Sequence, residues 1–518
     1  MFFINIFQTT FMFMLLLTIF YLNLLIKTNM SLILNFYEMF MNSKIHLMFI
    51  LDTYSLLFFF IIMMVVLNVM SFMKNYMFKK KDMKMFIFMT MMFVLSMMFL
   101  VFSFNIWTMI FGWEGLGISS FYLIFYFNNY DSWNSSIKTF FNNKFGDCFM
   151  IMSMIFMLMN KNKMMIFFLM LALLTKSAQF PFMAWLPMAM AAPTPISAMV
   201  HSSTLVTAGL YIFFRLSNML ISVINLNIFM NLCLISMLIS GLKALMEKDM
   251  KKVIALSTLS QIGLMLFFLL MNMKLISFLY MCNHALFKSL MFINMGYMMM
   301  FNYSNQYIFN MNTSNMNLFF NFSFKISCFN LMNLTFYSSF YLKEILLMNL
   351  NFSMINLMKF IIFLFNSFIT MNYSLKLINF SLKLNFKIKL LNKIMFNNIF
   401  TLSLMNMFSL IFSKLLMYIN LFYFNSNMIL LLLYLFMILM NFYILIYKSN
   451  FIYLLMYLNL LMYLNFNKLI KKNMDEVELW MEMFSLSYFF FMKKKNILIS
   501  INMNFFLMTL FMLLVLIQ

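Results

Sequence analysis

Apolar residues fall along this chain in runs of roughly 20, separated by short clusters of Lys, Asn, Ser and Asp. A run of that length crosses a bilayer as a helix. The pattern predicts spans near 4–26, 47–73, 85–105, 106–127, 134–159, 164–183, 196–215, 220–245, 252–271 and 275–300. An interrupted span is predicted across about 318–350, with others at 352–370, 398–419 and 427–447. The stretch 448–495 differs in kind: "KLIKKNMDEVELWMEMF" mixes both charge signs with apolar residues at helical spacing, as an amphipathic helix lying along a surface does. A final apolar run closes the chain. The fold class expected is therefore all-α, a polytopic membrane protein with about 14–15 transmembrane helices. The first run has no basic region before it and no small-residue cleavage site after it, so it is expected to be kept as a span.

Orientation follows from the loops. The basic loops "KNYMFKKKDMK" (74–84) and "EKDMKK" (247–252) are separated by six predicted crossings and so share a face. By the positive-inside rule that face is the matrix or cytoplasmic one.

Composition narrows the class. At 65% hydrophobic and 9% charged residues the chain fits no soluble globular class. The net charge of +22 would suggest nucleic acid in a soluble protein, but here it comes from scattered lysines, and no nucleic-acid partner is expected. Phe, Met, Asn, Ile, Leu, Tyr and Lys dominate, the set encoded by A/T-rich codons, and the 69 methionines suit an organellar code. Against that bias, all 8 glycines and all 4 prolines lie between Gly112 and Gly296. Small residues let membrane helices approach closely, and helix breaks are tolerated only where buried or lining a cavity. The four cysteines are isolated, without the close pairs of a metal site. "GWEGLG" (112–117) has the wrong glycine order for a nucleotide loop, and no nicotinamide or flavin fingerprint appears. The chain itself is expected to hold no cofactor.

Ionisable residues inside the predicted spans are the candidate chemistry, because each is expensive in lipid. They are Glu114 in "IFGWEGLGISSF", Lys144 and Asp147 in "NNKFGDCF", Lys176 in "LLTKSAQ" and His201 in "AMVHSSTLV". His284 and Lys288 follow in "NHALFKSLMF", four apart and on one helix face, then Lys343 and Glu344 in "FYLKEILL". One buried ion pair could merely lock two helices, and one buried histidine is usually a hydrogen-bonding core residue. A series of them, one per successive helix, is what a proton path through lipid requires. Glu114 and Lys176 are expected within ion-pair reach. The prolines after Lys176 are expected to break its helix, free backbone carbonyls and open a polar cavity. No Gly or Pro precedes Lys343. Asn330, Asn333, Thr335, Ser338 and Ser339 are the available substitutes, and an unwound or π-bulged turn is expected between Asn330 and Ser339, with Lys343 just beyond it facing a hydrated cavity.

"TKSAQFPFMAWLPMAMAAPTPISAMVHSSTLVTAGLY", "GWEGLGISSF", "DMKKVIALSTLSQIGLM" and "HALFKSLMF" resemble the antiporter-like subunit family of mitochondrial NADH:ubiquinone oxidoreductase, respiratory complex I, over roughly residues 105–300. Within that family "PTPISAMVHSSTLVTAG" and the long amphipathic C-terminal helix resemble the chain 5 branch more than chains 2 and 4. The resemblance implies N-terminal helices over 1–84, two inverted five-helix repeats at 85–215 and 220–370, each with a broken fourth helix, and C-terminal helices over 371–447. A lateral helix at 448–495 and an anchor at 496–518 complete the layout. It implies proton transfer through Glu114, Lys176, His201, His284, Lys288, Lys343 and Glu344, with Lys144 and Asp147 supporting. It further implies an inner-membrane location, chains 4 and 2 as neighbours along the lateral helix, and NAD, FMN, iron–sulfur clusters and ubiquinone elsewhere in the complex. The basic loops suit cardiolipin. The sequence departs from the family with Lys144 in place of an arginine and Ser339 in place of a glycine. A cation/proton antiporter subunit and a passive membrane scaffold are the competing classes.

Overall fold

The computed structural model describes residues 32–38, 46–77, 83–221, 226–302, 305–308, 318–333, 337–349 and 354–381, with scattered positions within 8–21 and 402–409. The expected lateral helix (448–495), the anchor (496–518) and the spans near 398–419 and 427–447, those scattered positions apart, lie outside the described residues.

Helix α1 (Thr53–Tyr76) starts at a capping box: Ser55 N–H donates to Asp52 Oδ1 at 3.3 Å, and Asp52 N–H donates to Ser55 Oγ at 3.0 Å. Helices α2 (Met83–Phe102), α3 (Ile106–Phe125), α4 (Tyr130–Leu158) and α5 (Asn162–Lys176) follow. Short helical turns at Trp185–Met188 and Ala189–Ala191 lead into α6 (Thr194–Leu220), which contains a π-helical stretch, Ser197–Thr204. Next come α7 (Leu226–Met246), α8 (Met250–Leu270), α9 (Lys274–Phe301), α10 (Leu318–Met332), α11 (Ser338–Asn349) and α12 (Met354–Ser381). Eight of the described helices are long and apolar enough to cross a membrane. The chain is a multi-pass membrane protein.

One departure from the expected all-α fold lies at the start. Leu32–Glu38 (β1) and His46–Leu51 (β2) pair as an antiparallel hairpin, and the span expected near 47–73 therefore begins at Thr53. "HLMFIL" was long enough to extend a helix, but Phe104 N–H donates to the Met48 carbonyl and ties the strand to the end of α2. Tertiary pairing overrides the local preference there.

The topology expected from the loops holds. Six passes (α2, α3, α4, α5 with the turns after it, α6 and α7) separate the two basic loops. Contacts place both loops at one end: a Cβ on Gly296 would touch both Phe72 and Thr194, and Lys251 Nζ donates to the Ala192 carbonyl at 3.3 Å. At the opposite end Arg215 of α6 makes a two-pronged ion pair with Asp52. Among the described residues two helical passages are interrupted, after Lys176 and between α10 and α11. Lys359 Nζ donates to Asn227 Oδ1 at 2.8 Å and Lys376 Nζ to the Leu245 carbonyl at 2.9 Å, so α12 is fastened to both ends of α7.

The small residues are where backbones touch. No glycine has positive φ, so none is needed for a left-handed turn. Size is the constraint: a Cβ on Gly112 would lie 2.7 Å from the Leu100 backbone nitrogen, and one on Gly263 would lie 2.7 Å from Met237 Cγ. The glycine window read from composition is a window of close helix approach. On the outer faces of α2 and α3, Phe88, Phe99, Phe111, Ile118 and Tyr122 are exposed, as a lipid-facing belt requires.

Candidate functional site

Helix α5 stops at Lys176 for a local reason. Ala178 takes φ 53°, Gln179 N–H donates to the Leu174 carbonyl at 3.0 Å and Ala178 N–H to Thr175 at 3.3 Å. This is a Schellman ending, made with alanine where glycine is usual. Trp185 Nε1 donates to the Thr175 carbonyl at 3.2 Å. The carbonyls expected to be freed by the break are thus mostly occupied. Pro181, which has no N–H to give, prevents the helix from resuming.

Lys176 is wholly buried at this helix end, where the macrodipole favours a cation. Its Nζ donates to the Trp113 carbonyl at 3.1 Å and sits 4.7 Å from the centre of the Trp113 ring. Trp113 Nε1 in turn donates to Asp147 Oδ1 at 2.7 Å, and Asp147 Oδ2 pairs with Lys144 Nζ at 3.0 Å. Trp113 is therefore the partner that the sequence reading missed. Among the described residues no direct Glu114–Lys176 ion pair is present; Lys176 reaches α3 on the face carrying Trp113 and Gly117, and Glu114, half-buried, lies about 100° round that helix. The carboxylate in line with Lys176 is Asp147, through the Trp113 ring.

His201 lies in the π-helical stretch, buried, with its ring centre 6.5 Å from that of Trp185. Trp185 thus connects the end of α5 with His201. On α9, His284 and Lys288 are both buried, and Lys288 Nζ donates to Ser257 Oγ of α8 at 2.6 Å. Neither ring nitrogen of His201 or His284 has a hydrogen-bond partner among the described residues. Buried polar atoms normally find one, so each such histidine needs an explanation.

The break before Lys343 falls where the Asn and Ser residues predicted it. Helix α10 ends at Met332, Asn333 takes φ 59° and α11 begins at Ser338. Asn330 spans the gap: its Oδ1 accepts from Ser338 Oγ at 3.0 Å and its backbone carbonyl accepts from Ser339 Oγ. Side-chain hydroxyls and amides replace Gly and Pro as the breakers. Lys343 and Glu344 are buried just beyond, and Lys343 lines a narrow cleft with Ser260, Gln261, Phe363, Ser367 and Thr370.

Two further charged groups were not singled out. Lys251, expected on a solvated loop, is buried against Ala192 at the foot of the first break. Asp52, outside the spans, is paired with Arg215, which also bonds to Tyr211 Oη. Burial pushes the Asp52 carboxyl up, but the Arg215 hydrogen bonds and charge outweigh it and hold it below the ordinary aspartate range. Among the described residues no cluster of His, Cys, Asp or Glu could hold a metal.

Two interrupted helices, each with a buried lysine beside its break, are set in a multi-pass helical membrane protein, the architecture of the antiporter-like membrane proteins. The chain belongs to the NADH:quinone oxidoreductase/Mrp antiporter transmembrane family, whose sequence profile matches residues 103–370 and so takes in every residue from Glu114 to Glu344. It is 37% identical over 365 residues to NADH-ubiquinone oxidoreductase chain 5 of Anopheles quadrimaculatus, covering 66% of this chain and 62% of that protein. It is 41% identical over 264 residues to chain 5 of Anopheles arabiensis, covering 48% of this chain and 69% of that one. With chain 5 of Caenorhabditis elegans it shares 41% identity over 252 residues, 47% of this chain and 48% of the relative. The chain thus spans less than two thirds of the first of these relatives. Among solved structures, the membrane-bound sulfane sulfur reductase, an archaeal respiratory membrane complex, matches with a TM-score of 0.67 at 18% identity over 80% of this chain and 90% of that one. The Mrp complex from Dietzia sp. DQ12-45-1b matches with a TM-score of 0.65 at 19% identity over 74% of this chain and 44% of its own. These two likenesses establish the fold.

Proposed function

We propose that this chain is a proton-translocating membrane subunit of a respiratory NADH:ubiquinone oxidoreductase in the mitochondrial inner membrane. The observation that carries the reading is the set of buried lysines, Lys176 on α5, Lys288 on α9 and Lys343 on α11, with the helix broken at Lys176 and again just before Lys343. A lysine in a membrane interior is retained when it carries charge for function. The two histidines without fixed partners suit groups whose partners change as protons arrive and leave. Trp113 holds Lys176 against Asp147, which supplies the counter-charge, while Lys144 holds Asp147. Counted as passes, α2 to α6 and α7 to α12 make two sets of five begun from opposite faces, which supports an inverted-repeat arrangement. Redox chemistry falls to other subunits carrying FMN and iron–sulfur clusters, between NADH and ubiquinone. Chains 4 and 2 of such a complex, and cardiolipin at the basic loops, are the expected neighbours.

The test is co-purification followed by one substitution. Purified through this chain, the particle is expected to contain flavin and iron–sulfur clusters and to oxidise NADH. Lys176→Met is expected to leave assembly intact and depress NADH-driven proton uptake. A particle without flavin that exchanges sodium for protons would show an antiporter instead. Full proton uptake with Lys176→Met would show a scaffold.

A further inference from the structure

Between Lys288 and Lys343 lies a cluster of neutral polar side chains within an apolar helix. Ser257, Ser260 and Gln261 fall in α8, whose remaining residues in "VIALSTLSQIGLM" are mostly aliphatic. Ser257 accepts the hydrogen bond from Lys288. One turn further along, Ser260 Oγ lies 3.1 Å from the Tyr373 hydroxyl of α12. Gln261 Nε2 donates to the same hydroxyl at 3.4 Å, while Gln261 Oε1 accepts from the Tyr280 hydroxyl of α9. Ser260 and Gln261 also line the cleft that Lys343 lines. All four side chains are buried.

The burial is costly unless every group is satisfied, so the cluster is held in one arrangement. That arrangement ties three helices, α8, α9 and α12, at the level between the two lysines. An amide cannot accept and release a proton as readily as a hydroxyl or amine can. Its part here is to fix which way each tyrosine hydroxyl points. We infer that Gln261 is a positioning residue, and that the Gln261–Tyr280–Tyr373–Ser260 cluster is a gate whose hydroxyl orientation decides whether a proton can pass between Lys288 and Lys343. With Tyr373 held by Ser260 and Gln261 the hydroxyl is aligned beside the cleft that Lys343 lines and the passage is open. Turning that hydroxyl away from α8 closes it. The gate moves no atom other than hydroxyl protons and rings, so it needs no partner beyond this chain.

This inference rests on the proton-translocating reading, and the experiment separates the two. Tyr373→Phe keeps the ring and removes only the hydroxyl. Gln261→Leu removes the amide, and Gln261→Asn keeps an amide one methylene back. Each is made in the assembled complex, with Lys343→Met alongside. Assembly is followed by native electrophoresis, and proton uptake per NADH by sealed vesicles across pH 6 to 9. Tyr373→Phe and Gln261→Leu are expected to assemble normally and lower proton uptake per NADH by about fivefold, the rate equivalent of one lost hydrogen bond. The double variant should be no worse than either single one, because the residues act as one device. The pH profile should change shape, and Gln261→Asn should restore part of the uptake; a packing defect would do neither. If Lys343→Met depresses uptake but Tyr373→Phe leaves both the ratio and the pH profile unchanged, the gate is wrong. If Lys343→Met also changes nothing, the translocation reading itself falls.

Discussion

Gly209 faces the point where α5 breaks, and adding side-chain atoms there should disturb Lys176 without touching it chemically. A Cβ on Gly209 would lie 3.0 Å from the Leu173 carbonyl oxygen, 3.2 Å from the Ser177 nitrogen and 3.4 Å from Lys176 Cβ. Two of these are backbone atoms, which cannot rotate aside, so the end of α5 must yield by a few tenths of an ångström. Overpacking of this kind costs about 1–3 kcal/mol. Replacing a mid-helix glycine by alanine returns about 0.5–1 kcal/mol of backbone entropy. For Gly209→Ala the two nearly offset, and a loss of about 1 kcal/mol is the most expected. Gly209→Leu gains a similar amount from entropy but must place three more carbons against the break, so its loss should reach about 2–3 kcal/mol. The assay is the thermal midpoint of NADH-driven proton uptake in sealed membranes, together with the uptake rate at 25 °C. Stability should fall in the order wild type, Gly209→Ala, Gly209→Leu, with the uptake rate falling most for Leu. A Gly209→Leu protein with wild-type midpoint and rate would refute the argument that this glycine is retained for close approach.

Three further outcomes are expected. Trp113→Phe keeps an aromatic ring over Lys176 but loses the bond to Asp147, so proton uptake should drop about tenfold, and Trp113→Leu, which also loses the cation–π contact, should drop further; equal losses would remove the ring from the account. Asp52 is held below the ordinary aspartate range, so the stability it contributes is present above that range and is lost as pH falls through its lowered folded value; Asp52→Asn should destabilise the complex at neutral pH by about 1.5–3 kcal/mol and flatten the acid limb of a thermal-midpoint profile taken from pH 7 to 3. Asn333, at φ 59°, should accept glycine with no loss of thermal midpoint, whereas Asn333→Val should cost about 1–2 kcal/mol; a harmless valine would mean the turn before Ser338 is not fixed.

What could be read from the sequence was what apolar length and helix-breaking chemistry control. The span boundaries around Lys176 and the break between Asn330 and Ser339 follow from proline, asparagine and serine, whose effects are local. The orientation of the two basic loops follows from parity. What could not be read depended on contacts between distant segments. Strand β2 pairs with β1 and is tied to the end of α2 through Phe104, more than 50 residues away, contacts that its apolar run does not announce. Trp113 became the partner of Lys176 because α3 presents that face to the end of α5, and no pattern in "IFGWEGLG" distinguishes it from Glu114 one residue on. Lys251 looked like a loop charge because burial against Ala192 is set by the second set of helices folding onto the first. The π-helical stretch around His201 has no periodicity in "SAMVHSST" that sets it apart from an α-helix, although all four of its hydroxyls bond back to backbone carbonyls.

The fastening of α12 to α7 determines where this molecule can give. Lys359 grips Asn227 near one membrane face, Lys376 grips the Leu245 carbonyl near the other, and Asn366 reaches the Leu234 carbonyl between them at 3.4 Å. Two rods joined at both ends and in the middle act as one beam. A pull delivered to α12 by the chain that follows it is therefore carried into α7 and shared across the set. Helices α10 and α11 end and begin separately, at Met332 and Ser338, and are joined through Asn330, whose side chain and carbonyl accept from Ser338 and Ser339. Strain that the beam passes on to this pair falls on side-chain hydrogen bonds, directly ahead of the helix that carries Lys343.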